Sequence, residues 1–153
     1  KDPAKLEKFM LDYIKSTVHA LGDYPIAWDV INEAVNDTNG ELRDSPWRNI
    51  PDFICKAFNA TRSANLKIGR FYNDFNIITT QKKQDYVYKL VKDLVDRKCG
   101  ITGVGMQAHV TIDYKHESVL TAALKQYEQL GIEVHITELT VKCPYCNETW
   151  TDG

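Results

Sequence analysis

The feature that most constrains this chain is a fourfold alternation of helical and extended segments. Apolar residues at three-and-four spacing predict helices that begin after Asp2, at Asp52, at Gln81 and at Ser118. Each helix precedes a short β-branched segment, and the predicted strands cover residues 26–31, 67–72, 101–107 and 132–137. Strands that alternate with helices at this spacing pair in parallel through helical crossovers. The sequence therefore predicts an α/β fold, and 153 residues are enough for one domain with a real core.

Composition argues against two classes of partner. A hydrophobic content of 43% and a charged content of 26% are typical of soluble globular proteins. The net charge of −2 gives no electrostatic reason to bind nucleic acid or an anionic membrane. No apolar run approaches the roughly 18–20 residues that a membrane span needs. We therefore expect neither nucleic acid nor a membrane as a partner.

Signals of the cellular compartment are few and indirect. The N-terminal residues K-D-P-A-K-L lack the apolar segment of a signal peptide, so the chain is cytosolic, mature or a fragment that begins inside a longer protein. Three N-x-[ST] sequons, at Asn36, Asn59 and Asn147, favour a secreted glycoprotein. Four cysteines are too few to predict a disulfide scaffold in a chain of this length.

Polar side chains close each of the four predicted strands. The endings are Asn32-Glu33, Asn73-Asp74, Gln107-Ala108-His109 and Glu138. A single polar ending is explained as a loop boundary, where polar residues are common. Four polar endings on four strands with apolar interiors are not explained in this way. The carboxyl ends of the strands of a parallel α/β barrel meet at one face, where active sites are built. We therefore expect these side chains to converge on one site.

Two carboxylates at such a site, Glu33 and Glu138, suit the hydrolysis of glycosides. That reaction uses one carboxyl group to protonate the leaving oxygen and a second to attack the sugar or to activate water. Strand-end glutamates also serve barrel enzymes as bases for other proton transfers or as metal ligands. The residues alone therefore leave these alternatives open.

Five motifs in order give the chain a family resemblance. They are W-D-V-I-N-E-A-V, L-R-D-S-P-W, F-Y-N-D-F-N, G-V-G-M-Q-A-H and H-I-T-E-L-T, and they resemble the family-10 endo-1,4-β-xylanases. The resemblance implies a (β/α)8 TIM barrel, of which residues 1–153 form a partial catalytic domain, from about helix 3 to strand 7. It also implies retaining hydrolysis of internal β-1,4-xylosidic bonds in xylan by two glutamates, with no metal and no cofactor.

The same resemblance assigns roles to individual residues. Glu33 is expected to be the general acid/base and Glu138 the nucleophile, with carboxyl groups about 5–5.5 Å apart. Asn32 is expected to bind the sugar 2-hydroxyl. The residues expected to orient the nucleophile and the sugar are Asn73, Gln107 and His109. Trp47, in the loop after Glu33, is either a stacking platform for sugar or a packing residue.

The chain departs from the family pattern at two residues and in its length. Thr140 stands where the family usually has Asp, so we expect His109 to lose charge stabilisation and orientation. Phe75 stands for a tyrosine and lacks a hydroxyl that normally faces the cleft. Because the family's barrel is about twice as long, we expect residues 1–153 alone to be unstable and nearly inactive. The whole enzyme is expected to be a secreted, extracellular monomer.

Other interpretations remain. C-P-Y-C, at Cys143 and Cys146, resembles a glutaredoxin motif, but only seven residues follow it. A barrel loop with a local disulfide fits better, and a zinc site lacks a second C-x-x-C. Trp28 lies within a strand, which favours core packing over sugar stacking. A carbohydrate-binding pseudoenzyme and another β-glycanase on the same barrel are the alternative functions.

Overall fold

The computed structural model describes residues 2–114 and 117–145. Along the chain the elements are helix α1, strand β1, a short 3-10 helix, then α2, β2, α3, β3, α4 and β4. Their bounds are Pro3–Leu21, Ala27–Asn32, Pro46–Asn49, Phe53–Ala64, Gly69–Phe75, Gln81–Asp96, Gly103–Thr111, Glu117–Glu128 and Glu133–Lys142. The strands form one sheet in the order β1-β2-β3-β4, and every neighbouring pair is parallel. This is the arrangement of consecutive βα units in an α/β barrel.

The ends of α1 follow the sequence signals closely. Asp2 accepts a hydrogen bond from the backbone N–H of Ala4 at 3.0 Å, and Pro3 occupies the first turn, where a missing N–H costs nothing. Gly22 ends the helix at a φ of +54°, a conformation that glycine adopts without steric strain. Over the described residues no helix is long and apolar enough to cross a membrane.

The apolar core lies between the sheet and its helices. Tyr72, Val104 and Met106 project from β2 and β3 toward the helices and are fully buried. They pack in one cluster with helix residues that include Phe58, Val87, Val91, Leu94 and Tyr127. Burying such side chains stabilises the fold by about 1.5–3 kcal/mol each.

The opposite face of the sheet corresponds to the interior of a barrel. There Phe71 of β2 lies against His135 of β4, with ring centroids 4.5 Å apart. Gly103 lies between them on β3, and a Cβ at this position would come within 2.3 Å of the Phe71 ring. The close approach of this ring to the backbone therefore requires glycine at residue 103.

All four strands end later than the sequence predicts, β1 by one residue and the other three by three to five residues. We expected β2, β3 and β4 to end at residues 72, 107 and 137, but they end at Phe75, Thr111 and Lys142. The polar residues predicted to follow these strands therefore lie inside them, and only Asn32 is the last residue of its strand. Backbone pairing continues because polar side chains on the interior face do not interrupt hydrogen bonds between the strands.

A disulfide that the sequence did not predict joins Cys55 of α2 to Cys99, just after α3. Both residues are buried, and their Cα atoms are 5.1 Å apart. Closing a loop of this length in the unfolded chain corresponds to a stabilisation of about 4 kcal/mol in the chain-entropy estimate. Cys143 is also disulfide-bonded, whereas Cys146 lies outside the described residues.

Candidate active site

Side chains from the first three strands form one hydrogen-bonded group on the interior face. The amide oxygen of Asn32 accepts from Asn73 Nδ2 at 3.0 Å and from Gln107 Nε2 at 3.2 Å. Gln107 Nε2 also lies 3.0 Å from Glu33 Oε1, to which it donates. Asn73 and Gln107 are almost fully buried. The predicted convergence of these residues is therefore present in the structure.

Glu33 has an unusual backbone conformation. Its φ is +52°, in the left-handed region that costs a residue other than glycine about 1–3 kcal/mol. The Glu33 N–H donates to the backbone oxygen of Asn73 at 2.8 Å, and the side chain is held by Gln107. These two bonds support the strained conformation, which turns the chain at the carboxyl end of β1. Such strain is found frequently at active sites.

Glu138 is held by a different kind of partner. Its Oε2 lies 3.2 Å from His109 Nε2, and the other ring nitrogen, Nδ1, lies 3.2 Å from Thr140 Oγ1. When Nε2 carries the proton, it donates to Glu138 while Nδ1 accepts from the Thr140 hydroxyl. Thr140 thus keeps an orienting hydrogen bond to His109, contrary to the expectation from sequence. It brings no negative charge, so the charge stabilisation that an aspartate would supply is absent from this position.

Two irregularities in strand pairing bring the site residues to one face. In β4 the register shifts so that Ile136 pairs with Met106 while Glu138 pairs with Gln107, which leaves Thr137 as an extra residue. In β1 the corresponding shift lies between Asp29 and Ile31. Side chains alternate along a regular strand, so an extra residue reverses the alternation beyond it. Because of this bulge, Thr137 and Glu138 both contact residues of the interior face.

Asp29 is a third carboxylate on the interior face, and sequence reasoning did not single it out. Burial and, secondarily, the negative charge of Glu138 raise the pKa of the Asp29 carboxyl. In the sequence Asp29 is an acidic residue inside an otherwise apolar strand, and this could have marked it as a candidate. Sequence reasoning considered only the polar residues at the ends of strands, so it selected Glu33 and not Asp29.

Phe75, which stands where the family has a tyrosine, contacts two cationic side chains through its ring. The Lys83 ammonium lies 3.8 Å from the centroid of its ring, and the Arg43 guanidinium lies 5.6 Å away. Lys83 is fully buried and bridges Asp74, at 2.8 Å, and Asp37, at 2.6 Å. A phenyl face favours cations, so these contacts hold the loop after β1 against the end of β2.

The Asp74 carboxylate is fully buried beside Lys83, and the hydroxyl of Tyr72 donates to it at 2.6 Å. Burial, together with the negative charge of Asp74, raises the pKa of the Tyr72 phenol. The ion pair and the donated bond satisfy a carboxylate that would otherwise be costly to bury. This network lies on the side of β2 that faces the helices, opposite to the glutamates.

Trp47 and Trp28 have different surroundings. Trp47 lies in the 3-10 helix, is half-buried, and lines a cavity of about 330 Å³ together with Asn32 and Glu33. Trp28 lies on β1 and lines a separate cavity with Tyr13 and Val18 of α1. The structure therefore places Trp47 beside Glu33 and Trp28 against a helix.

Two expectations about the site stay predictions. The first is the separation of about 5–5.5 Å between the Glu33 and Glu138 carboxyl groups, the value for retaining enzymes. The second is the absence of a metal from the chemistry. Within residues 2–114 and 117–145, no group of three or more His, Cys, Asp or Glu side chains has the arrangement of a metal site.

Comparison with known proteins relates this geometry to one family. The sequence profile described as Glycosyl hydrolase family 10 matches residues 1–151. The endo-1,4-beta-xylanase of Geobacillus stearothermophilus is 40% identical over 135 residues, which are 86% of this chain and 41% of that protein. Exoglucanase XynX of Acetivibrio thermocellus is 38% identical over 132 residues, 85% of this chain and 12% of that protein.

Among solved structures, xylanase 10B of Thermotoga petrophila in complex with xylobiose matches with a TM-score of 0.90 at 29% identity. The match covers 97% of this chain and 46% of that one. This chain therefore spans less than half the length of each of these relatives.

Proposed function

Because this chain belongs to glycosyl hydrolase family 10, we propose that the protein is an endo-1,4-β-xylanase that cleaves internal β-1,4 bonds of xylan with retention. The proposal concerns the whole protein, since the chain spans 41% of its Geobacillus relative. The observation that carries it is that Gln107 donates to Glu33 and pairs with Glu138 between β3 and β4, while His109 contacts Glu138. A carboxyl pair at the carboxyl ends of barrel strands is the arrangement that glycoside hydrolysis needs.

The reaction has two displacement steps. Protonated Glu33 gives its proton to the glycosidic oxygen while the Glu138 carboxylate attacks the anomeric carbon, so the C–O bond to the leaving sugar breaks and a glycosyl ester forms. The Glu33 carboxylate then takes a proton from water, whose oxygen attacks the same carbon and releases Glu138. Two inversions give net retention. Each glutamate ends in the protonation state in which it began.

The neighbouring residues have supporting roles in this proposal. Gln107 donates to Glu33 and His109 contacts Glu138, so each carboxyl group has its own positioning partner. Asn32 lies between Asn73 and Gln107 and is proposed to bind the sugar 2-hydroxyl. Trp47, beside Glu33, is proposed as an aromatic platform for a neighbouring sugar ring.

Secretion is part of the same proposal. A buried disulfide between Cys55 and Cys99 supports folding in an oxidising compartment, where such bonds form and persist. Xylan is a polymer outside the cell, which agrees with extracellular action. The whole protein is proposed to act there as a monomer. Cell fractionation and size-exclusion chromatography test both statements, and a reduced, intracellular or dimeric enzyme would contradict them.

A second candidate function is hydrolysis of another β-glycan, because one relative bears the name exoglucanase. Parallel assays on xylan and on β-1,4-glucan separate the two. A carbohydrate-binding pseudoenzyme has less support, because both carboxylates and their partners are in place.

The test uses the whole protein, xylan and an aryl β-xylobioside. Glu33→Gln and Glu138→Gln are each expected to lower the rate of xylan hydrolysis by about 10²-fold or more, whereas Glu133→Gln is a matched control. Glu133 lies on the same strand as Glu138 but contacts only His135 among described side chains. The alanine variants assign the roles. Azide is expected to yield a β-xylosyl azide with Glu33→Ala and an α-xylosyl azide with Glu138→Ala. Xylan hydrolysis at the wild-type rate in either glutamine variant, or the opposite azide products, would overturn the assignment.

A further inference from the structure

Thr137, the extra residue in the bulge of β4, contacts the site through one hydrogen bond. Its hydroxyl donates to Asn73 Oδ1 at 2.6 Å, although strand β3 lies between their two strands. The contact crosses β3 at Gly105, where a Cβ would lie 2.3 Å from Asn73 Oδ1 and 2.8 Å from Thr137 Cγ2. A side chain at residue 105 would thus separate the two groups. Only glycine leaves the space in which they meet.

The hydrogen bond from Thr137 to Asn73 belongs to a chain of hydrogen bonds in which the orientation of one amide determines that of the next. An amide offers an oxygen acceptor at one end and an NH2 donor at the other. With its oxygen facing the Thr137 hydroxyl, Asn73 presents its NH2 to Asn32, and Asn32 must face it with its own oxygen. That oxygen also accepts from Gln107, so both of its lone pairs are occupied. The NH2 group of Asn32 then faces away from Asn73 and Gln107.

The Glu33 carboxylate, at the other end of this chain of hydrogen bonds, requires the same orientation of the amides. The Glu33 carboxylate accepts from Gln107 Nε2, and this nitrogen also donates to Asn32. An ionised carboxylate can only accept, so Glu33 sets the direction of the amides, whereas the Thr137 hydroxyl can donate or accept. In this direction the buried oxygen of Asn73 needs a donor, and the Thr137 hydroxyl supplies it. Without that donor the oxygen would be left unpaired, which costs about 1–3 kcal/mol.

We propose that Thr137 is a positioning residue that, by donating to Asn73, stabilises the amide of Asn32 with its NH2 group toward the substrate. The Asn32 side chain is exposed, and its Nδ2 donates to no side chain within the described part of the chain. Its ligand is therefore a hydrogen-bond acceptor, such as a sugar hydroxyl oxygen next to the bond that is cleaved. This inference rests on the proposed function for the identity of the ligand. The orientation of the amide groups does not depend on the proposed function and can be tested separately.

The kinetic test compares two substrates and three variants of the whole protein. The substrates are an aryl β-xylobioside and its analogue without the 2-hydroxyl on the sugar at the cleaved bond. Thr137→Val keeps the shape and removes the donor, and Thr137→Ser keeps the donor. Thr79→Val is the matched control, because Thr79 also donates to an asparagine, Asn76, but at an exposed position outside the site.

Thr137→Val is expected to lower kcat/KM about tenfold for the normal substrate, the effect of losing one oriented hydrogen bond, and less than twofold for the 2-deoxy substrate. Thr137→Ser and Thr79→Val are expected to stay within twofold of the wild type on both. An equal loss on both substrates would indicate a merely structural role and would overturn the proposal, as would no loss on either. If Thr137→Val fails to fold, Asn73→Asp replaces it. This isosteric carboxylate cannot donate to Asn32, so it is expected to show the same selective loss.

A direct observation of the amide hydrogens separates this proposal from the proposed function. Neutron diffraction from the deuterated whole protein locates the deuterons of Asn73 and Asn32 without any assay. We expect ND2 of Asn73 toward Asn32 and ND2 of Asn32 toward the open cleft. The opposite orientation would overturn the inference even if the enzyme cleaves xylan. The expected orientation in a protein that cleaves neither substrate would refute only the proposed function.

Discussion

The two carboxylates of the site are held in different ways. Glu33 follows β1 and is held by the neutral amide of Gln107, which belongs to a group that extends through Asn32 and Asn73 to Thr137. Glu138 lies within β4 and contacts the imidazole of His109, which is backed by one hydroxyl. A neutral amide can accompany a group that gains and loses a proton, whereas an N–H from imidazole favours a group that stays anionic. The environments therefore fit the two proposed roles, which strand position alone does not distinguish.

The largest expected effect tests this difference directly. Glu138→Gln should lower kcat by roughly 10⁴-fold or more on every substrate, because no other group can form the glycosyl ester. Glu33→Gln should cost about 10²–10⁴-fold on xylan and much less in the first step on a substrate with an acidic aryl leaving group. Burst kinetics with a dinitrophenyl xylobioside measure this. Equal losses in the first step for both variants would remove the distinction between the two environments.

Substitution of Gln107 tests the hydrogen bond that holds the Glu33 side chain. Gln107→Leu removes the hydrogen bonds to both Glu33 and Asn32, and the loss of a hydrogen bond to a charged group costs about 1.5–3 kcal/mol. We expect a loss of roughly 10–100-fold in kcat/KM. Gln84→Leu, also buried but on α3, is a control for the loss of a glutamine from the core. Unchanged kinetics with Gln107→Leu would show that Glu33 does not depend on the amide.

Substitution of Thr140 tests how the support of His109 affects Glu138. Thr140→Val removes the only side-chain hydrogen bond seen for His109 Nδ1 among the described residues. We expect about a fivefold to tenfold fall in kcat, the effect of losing one neutral hydrogen bond, with Thr140→Ser close to the wild type. Thr140→Asp adds a charge to the same geometry and should change the pH profile of kcat. An identical profile for Thr140→Asp would show that charge at this position does not reach Glu138.

The smallest expected effect concerns stability. The folded protein raises the pKa of Asp29, so it holds this proton at a higher pH than the unfolded chain does. Between the ordinary pKa and the raised one, the folded state binds more protons, and its stability falls as pH rises across that window. Asn does not titrate, so Asp29→Asn should lack this fall. Melting temperatures between pH 3.5 and 6.5 test the expectation, with Asp85→Asn on α3 as the control.

Much of the fold followed from local patterns. The helix starts near Pro3, Phe53 and Gln81 agree with caps and apolar spacing, and each predicted strand exists. Asn32, Glu33, Asn73 and Gln107 contact one another as predicted, whereas Asp74 faces the helices. The ends of the strands were not predicted correctly. Asn73, His109 and Glu138 resemble loop residues in sequence, and only pairing with a neighbouring strand keeps them in the sheet.

The sequence by itself determined the order of the elements and the family, and it singled out the two glutamates that are proposed to be catalytic. Each of these depends on residues near one another in the chain, or on motifs that can be read in order. Tertiary structure alone decided the bulge at Thr137, the pairing of Cys55 with Cys99, the hydrogen bond from Thr140 to His109 and the position of Asp29. These features depend on contacts between distant segments. Their energies exist only after strands and helices have packed together, so no local pattern specifies them.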